Sequence, residues 1–432
     1  MITGITSSDR QKLTSPVRDI EVTAEFIKDS VVHDSYTSRD KIVEFTVERI
    51  GEENKFFGFG VVHKINIKLI DKGREIKYDS NYSVKIYYRI GREMINPHPP
   101  FHITEVNRDE NTNQLSITGY DLLYTNKKTV GDLGLTAPYT VADFVTAVNQ
   151  ALGCSSAYHT VNFNNTEAIF STSLADGANF EGHESLREAL NDIAEVTQSI
   201  YYINRLGELT FRRLSRSGTP NLTITKSDYI KLTSGSSHQL AQIIKTTELG
   251  NNINGPSSGT GNIQHIRDNA FYELLPDAKV GRLLNDGTSY IGGIIITQFD
   301  CDWRGNFLLE PGDKLRIETK NGQYLTTYLL DDVIEYKGYL TEKTKWDYNP
   351  EEGEHSNPSS LGDILNQTVA KVDKVNKEIT LVVKDTENMR EEVNQIKVST
   401  EGIELSVKEL EEEFENFADI TIDEDAIVSK VE

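Results

Sequence analysis

Phe56-Phe57-Gly58-Phe59-Gly60-Val61-Val62-His63-Lys64-Ile65-Asn66-Ile67-Lys68-Leu69 begins as an aromatic run broken by two glycines and passes into alternation. Ile65, Ile67 and Leu69 are separated by polar residues, and a period of two gives a strand with one buried face. Tyr82, Val84 and Ile86 repeat the pattern, so residues 16–125 read as β-sheet. The glycines of the aromatic run are expected to permit a bend or a close approach of backbone; the alternative is a ligand groove floored by the rings.

Downstream, His102 to Val106 and Leu115 to Tyr120 form a hairpin joined by the short polar residues Asp109 to Asn113. Between 126 and 215 the period becomes helical. Val141, Phe144, Val145, Val148 and Leu152 make one stripe, opened by Thr140 with Asp143 and closed by Gly153. Ser185 with Glu188 opens a second helix through Leu186, Ala189, Leu190, Ile193 and Ala194, with Arg187, Asn191, Asp192 and Glu195 on the face expected to meet water. Ile200 to Ile203 and Leu209 to Phe211 flank the turn Asn204 to Gly207. From about 220 strands resume. Asn251 to Asn262 reads as a flexible loop, Pro311-Gly312-Asp313 as a turn, and Asn321-Gly322 as the corner of a hairpin between Lys314–Glu318 and Tyr324–Leu330, with Gly338 ending the next strand.

The fold class that follows is multidomain α+β, mainly β, with a small α/β domain between two β domains and a C-terminal stalk. The boundaries are 1–125 for the first β domain, 126–215 for the α/β domain, 216–348 for the second β domain, 349–360 for a linker and 361–432 for the heptad-repeat stalk and acidic end. In the stalk, Leu361, Thr368, Val375, Val382, Met389, Ile396, Ile403, Leu410 and Phe417 hold one core position. Leu365, Val372, Ile379, Thr386, Val393, Thr400, Val407 and Phe414 hold the other. Apart from the three threonines these seventeen positions are apolar, and β-branched residues dominate both, which widens the core beyond two strands and favours three chains. Ile379 to Lys384 and Ile403 to Lys408 are similar and strand-like, so the shaft is either a coiled coil or a mixture of coil and intertwined β segments.

Of the net charge of -22, residues 351–432 carry -14. An acidic surface repels phosphates, which disfavours tight nucleic-acid binding but suits a wall past which DNA slides. The start lacks a signal-peptide pattern and no apolar run approaches membrane-span length, so synthesis in the cytoplasm with no membrane-spanning segment is expected.

Sites for chemistry are sparse. Cys154 and Cys301 each stand alone and read as buried thiols. His98 and His102 are separated by Pro99-Pro100-Phe101, which prevents the helix that would converge them on a metal. Asp300 and Asp302 share a strand face and could mimic a glycosidase pair, though a solvated face gives the same pattern. Gly255-Pro-Ser-Ser-Gly259-Thr-Gly261 lacks a phosphate-binding lysine. The expectation is a non-enzyme with no catalytic residue, metal or cofactor.

Three segments carry a resemblance. They are Glu44-Phe-Thr-Val to Leu69 with Ser116-Ile-Thr-Gly119-Tyr120-Asp121; Glu184-Ser-Leu-Arg-Glu-Ala-Leu-Asn-Asp-Ile-Ala-Glu195 with Arg205-Leu-Gly-Glu-Leu-Thr-Phe211; and Glu310-Pro-Gly-Asp-Lys-Leu315 to Tyr336-Lys-Gly338. Together they span about residues 20 to 345 and resemble the tail hub proteins of bacteriophages and prophages, the N-terminal region of tail-associated lysins or minor structural proteins of phages of Gram-positive bacteria. The resemblance implies that the two β domains are β-barrel-like and the small α/β domain an insertion. It also implies a homotrimer in the virion tail tip, a ring of pseudo-sixfold character capping the tail tube. Its implied partners are distal tail or tail tube proteins, the tape measure protein and tip or fibre proteins, with DNA passing through the lumen. The chain departs from relatives that carry a C-terminal hydrolase or receptor-binding extension, having only the stalk, which counts against lytic activity and favours attachment of a further fibre or tip. The alternative readings are a tail-associated peptidoglycan-degrading enzyme and a receptor-binding tail fibre.

Overall fold

In the computed structural model the alternating stretch is a twelve-residue strand, Phe59–Ile70, with Ile65, Ile67 and Leu69 fully buried between half-exposed Lys64, Asn66 and Lys68. The structure describes residue 13, residue 15, residues 18–346 apart from 52–54, 92, 137–138, 155–156, 164–172, 175–184, 247–251, 268 and 274, and residues 419–423 and 426–430. Two compact units, Met1–Glu354 and His355–Glu432, divide the chain.

The first block holds β1 (Ile20–Lys28), β2 (Val31–Thr37), β3 (Ile42–Ile50), β4 (Phe59–Ile70), β5 (Ser83–Ile90), β6 (Glu93–Ile95), β7 (Phe101–Asp109) and β8 (Gln114–Tyr120). The middle block holds α1 (Leu122–Thr125), β9 (Tyr139–Thr140), α2 (Val141–Leu152), β10 (His159–Val161), β11 (Ser173–Leu174), α3 (Leu186–Val196), β12 (Ile200–Ile203) and β13 (Leu209–Arg212). The third holds β14 (Leu222–Ile224), β15 (Tyr229–Thr246), β16 (Asn252–Asn254), β17 (Asn262–Ile266), α4 (Ala270–Glu273), α5 (Asp277–Ile291) and β18 (Ile295–Trp303). It continues through β19 (Lys314–Glu318), β20 (Tyr324–Tyr328), β21 (Asp331–Tyr336) and β22 (Leu340–Trp346). In the second unit β23 (Asp419–Asp423) pairs antiparallel with β24 (Ala426–Lys430), a hairpin inside the stretch read as stalk and acidic end. The seventeen heptad positions from Leu361 to Phe417 lie outside the described residues.

A continuous antiparallel ribbon joins the first and third blocks in the order β2-β1-β5-β7-β8-β4-β3-β21-β22-β18-β15. The link between blocks is β3 to β21, an edge-to-edge register running from Arg49↔Asp332 to Phe45↔Tyr336. Beneath it a core of first-block residues accepts Phe307, Leu308, Ile334, Tyr336 and Leu340 from the third, each worth about 1.5–3 kcal/mol when fully withdrawn from water.

The middle block joins through the N-terminal end of β4, which pairs parallel with β12 over Ile200↔Phe59 to Tyr202↔Val61. The rings of Phe56, Phe57 and Phe59 are buried in the core shared with α2 and α3, so the aromatic run is a packing element and no ligand groove. Gly58 has φ +87°, and a Cβ there would meet Glu195 Cγ at 2.4 Å. At Gly60 an added Cβ would meet the Tyr201 ring at 2.7 Å. Gln264 fixes this bend, accepting from the Phe56 N–H (2.9 Å) and donating to the Phe57 carbonyl (3.0 Å).

Both helix starts follow the caps in the sequence: Thr140 with Asp143 and Ser185 with Glu188 form capping boxes, and Gly153 closes α2 at φ +77°. On the polar face of α3, Arg187 is exposed and Asn191 half-exposed as expected, while Asp192 and Glu195 depart from the expectation. Asp192 and Glu195 are buried because α4 begins there: Asp192 Oδ2 accepts the Ala270 N–H (2.8 Å), while Asn269 donates to the Asp192 carbonyl and to Glu195 Oε2. Helix N–H groups without partners need acceptors, and α3 supplies one.

The third block contains two helices where strands were expected. α5 buries Val280, Leu284, Gly287, Thr288 and Ile291, a helical spacing masked in the sequence by glycine and polar residues. Within the segment read as a flexible loop, Asn252–Asn254 is instead a strand, β16, paired antiparallel with β15; residues 255–261 are irregular, as expected, and lead into β17, which pairs parallel with β15. Gly261 is needed there, since a Cβ would sit 2.3 Å from the Gln239 carbonyl oxygen.

Gly58→Ala combines left-handed strain with overlap on Glu195 and is expected to destabilise the body by about 2–4 kcal/mol. Gly322→Ala, at φ +78° with open space around it, is expected to cost about 1 kcal/mol. Urea unfolding of the two variants checks the order; equal midpoints would refute the packing role of Gly58.

Candidate assembly site

The seam between blocks is built on one buried cation. Arg49 on β3 faces Asp332 on β21, with Nε to Oδ1 and Nη2 to Oδ2 both 2.6 Å, a two-pronged charge-assisted pair. Its Nη1 donates to the Leu309 carbonyl (2.5 Å), and Glu342 Oε1 on β22 lies 4.0 Å from Nη2. Burial opposes the charge of Arg49, but Asp332 and then Glu342 hold its proton above the usual guanidinium range. Glu342 accepts from the Asn306 N–H (2.8 Å) and the Thr344 hydroxyl (3.0 Å), and Thr344 in turn accepts from Trp303 Nε1 (2.9 Å). Burial, followed by the neighbouring Asp332, pushes the Glu342 carboxyl up to about 8. One guanidinium thus serves two carboxyls, and a buried cluster of this kind fixes register more than it adds stability.

Further ties run across the blocks. Arg18 donates to the carbonyls of Arg304 (2.5 Å), Gly305 (2.9 Å) and Leu340 (3.1 Å). Arg212 on β13 reaches the Pro311 carbonyl (2.7 Å) and Asp313 Oδ1 (2.8 Å), so the expected Pro311-Gly312-Asp313 turn is also where the middle block is clamped. Asp121 N-caps α1 through the Leu123 N–H and accepts the His63 N–H (2.8 Å).

The residues weighed for chemistry do not assemble. His98 is buried with its ring on Tyr88 Oη (3.0 Å), and burial holds its proton affinity well below the usual histidine range. His102, half-buried, sits on β7 opposite Tyr120 of β8. Asp300 and Asp302 do share a face of β18, but Asp300 is paired with Lys343 (3.1 Å) and stands between strand neighbours, an ordinary half-exposed sheet surface. Cys301 is buried, while Cys154 is half-buried, a correction to its reading as a buried thiol. Burial raises the two thiols, to about 12 and about 11, which keeps them protonated. Among the described residues no group of three or more His, Cys, Asp or Glu converges on a metal position, and no helix is long and apolar enough to cross a membrane.

What the surface offers is contact area. A cleft of about 410 Å³ between the blocks is lined by Arg18, Trp303, Arg304 and Leu340, and two exposed apolar side chains, Ile230 (83%) and Tyr339 (68%), also line it. The edge strand β2 exposes Val31 (59%) and Val32 (48%). Sequence reasoning missed all of these, because an exposed apolar residue is marked only by its neighbours in space.

Because folded Glu342 keeps its proton to about pH 8 while an unfolded glutamate loses it near 4.3, unfolding between those values releases a proton. Stability therefore falls as pH rises through that window, at no more than about 1.4 kcal/mol per pH unit from this group. Glu342→Gln is expected to flatten that part of the slope, read as melting temperature at pH 6, 7 and 8; an unchanged slope would refute the protonated state.

No protein-family model and no curated protein matches the sequence. Solved structures similar to this one include tail proteins, two of them from prophages. A tail protein from Neisseria meningitidis MC58 is 11% identical, with 75% of this chain and 95% of that chain covered at a TM-score of 0.47. The 43 kDa tail protein of prophage MuSo2 from Shewanella oneidensis is 10% identical, covering 77% and 100% at 0.49. Prophage tail protein gp18 from Listeria monocytogenes EGD-e is 13% identical, covering 82% and 99% at 0.44. At these identities and scores the likenesses decide neither family nor function.

Proposed function

We propose that this chain is a structural, non-catalytic hub at the tip of a bacteriophage tail or a phage-tail-like particle, acting as a homotrimer. The reading gives the chain two β domains, 1–125 and 216–348, with an α/β insertion at 126–215, a linker at 349–360 and a trimerising stalk from 361. Its partners are tail tube or distal tail proteins on one side and a tip or fibre on the other, with the tape measure protein and then DNA passing through an acidic lumen.

The observation that supports this most is the β3–β21 seam, which welds the first and last β blocks into one rigid body around the insertion. A hub must carry load between tube and tip, and a buried two-pronged ion pair within a continuous sheet resists shear. The heptad register supplies the threefold element in sequence terms. An acidic chain suits passage of DNA without adhesion.

Light scattering on the purified full-length chain is expected to give the mass of three copies, and negative-stain images a ring bearing a thin shaft. A single-chain mass would sink the proposal, and turnover of purified peptidoglycan by the chain would replace it with the enzyme reading.

A further inference from the structure

The ribbon that joins the two β blocks has two ends. At one end, β2 is paired, among the described residues, only with β1, through a turn at Asp29-Ser30 with positive φ at both residues. At the other, residues Tyr229 to Ser237 of β15 are paired, among the described residues, only with β18. Among the described residues no strand lies on the outer edge of either. An open strand edge is a row of backbone donors and acceptors that natural proteins shield with proline, lysine, β-bulges or a very short strand. β2 contains neither proline nor lysine, and Tyr229 to Ser237 has no proline and one lysine, Lys231.

We infer that these two ends are made for each other in different copies: β2 of one chain adds antiparallel to residues 229–237 of β15 in the next, head to tail. Four observations favour a second copy over another protein. The edges are similar in length, seven residues against nine, with the β15 ladder irregular at Ile230 and at Gly235-Ser236. They carry opposite charge, Asp34 on β2 against Lys231 on β15. Each places exposed branched aliphatic side chains beside the edge, Val31 and Val32 on one and Ile230 on the other. The chain also already performs this join within itself, since β3 meets β21 edge to edge in an antiparallel ladder. Pairing between copies continues the ribbon by the same rule.

A head-to-tail contact uses two different patches, so it closes into a ring or runs on as a filament. This inference rests on the hub reading, which calls for closure at three. It adds a contact in the body, independent of the stalk. The cleft lined by Ile230 and Tyr339 lies beside the β15 edge and would be covered when β2 arrives.

Cysteine cross-linking of the full-length chain tests it. Val32→Cys/Thr233→Cys and Val31→Cys/Lys231→Cys place thiols on both edges at exposed positions, and neighbouring strands bring Cα atoms within the 4.4–6.8 Å that a disulfide spans. Mild oxidation is expected to convert most of at least one double variant to a covalent three-chain species on a non-reducing gel, while the single variants stay as one chain. In the unmodified protein, hydrogen exchange should show amides of residues 31–37 and 230–236 as protected as those of β1. Three-chain mass by light scattering with no cross-link and unprotected edges would overturn the edge pairing and leave the hub standing. A single-chain mass would remove both. Dimers from Val32→Cys alone would show β2 pairing with β2 and overturn the head-to-tail arrangement.

Discussion

The Arg49–Asp332 pair is the constraint on which the body depends. It lies between residues 283 apart in sequence and is wholly enclosed, so neither partner tolerates the loss of the other: an uncompensated buried charge costs about 3–5 kcal/mol. Its two-pronged geometry also admits only one register of β3 on β21. A slip by one residue would turn Phe45, Val47 and Ile334 out of the core. The ribbon, the stacking of Phe307 on Tyr88, and the cleft at the block boundary all inherit that register.

The middle block is held by a different device, the absence of side chains. Gly58 and Gly60 let Glu195 and Tyr201 approach the backbone of β4, and Tyr201 then reaches the Asn191 side chain (2.8 Å) and the Arg187 carbonyl (3.0 Å) of α3. β4 therefore belongs to two sheets at once. Its first residues pair with the insertion and the remainder with β3 and β8.

Local chemistry was legible in the sequence. Capping boxes at Thr140 and Ser185, the left-handed Gly153, and the hairpins at Asn204–Gly207 and Asn321–Gly322 are written within a few residues of chain. What was not legible depends on distant partners. Asp192 and Glu195 look like a solvated face until α4 arrives to use them. Residues 277–291 carry glycines that dilute a helical period, and Asn252–Asn254 reads as loop until β15 is there to pair with it. The β3–β21 seam has no local signature at all, since Arg49 and Asp332 are common surface residues by composition. The C-terminal hairpin did leave a trace, Ile420 and Ile422 alternating with polar residues, that the heptad reading passed over.

The same seam sets a clock during synthesis. At about 5–20 residues per second, the ribosome delivers Asp332 roughly 15–60 s after Arg49. Until then β3 is itself an open edge with a cation pointing at an unfinished core, and the first block cannot complete its own interior because Phe307 and Leu308 are still unmade. The nascent chain must therefore be kept from premature association for most of its translation, and the surfaces it offers to other copies become trustworthy only once its last β block has closed on its first.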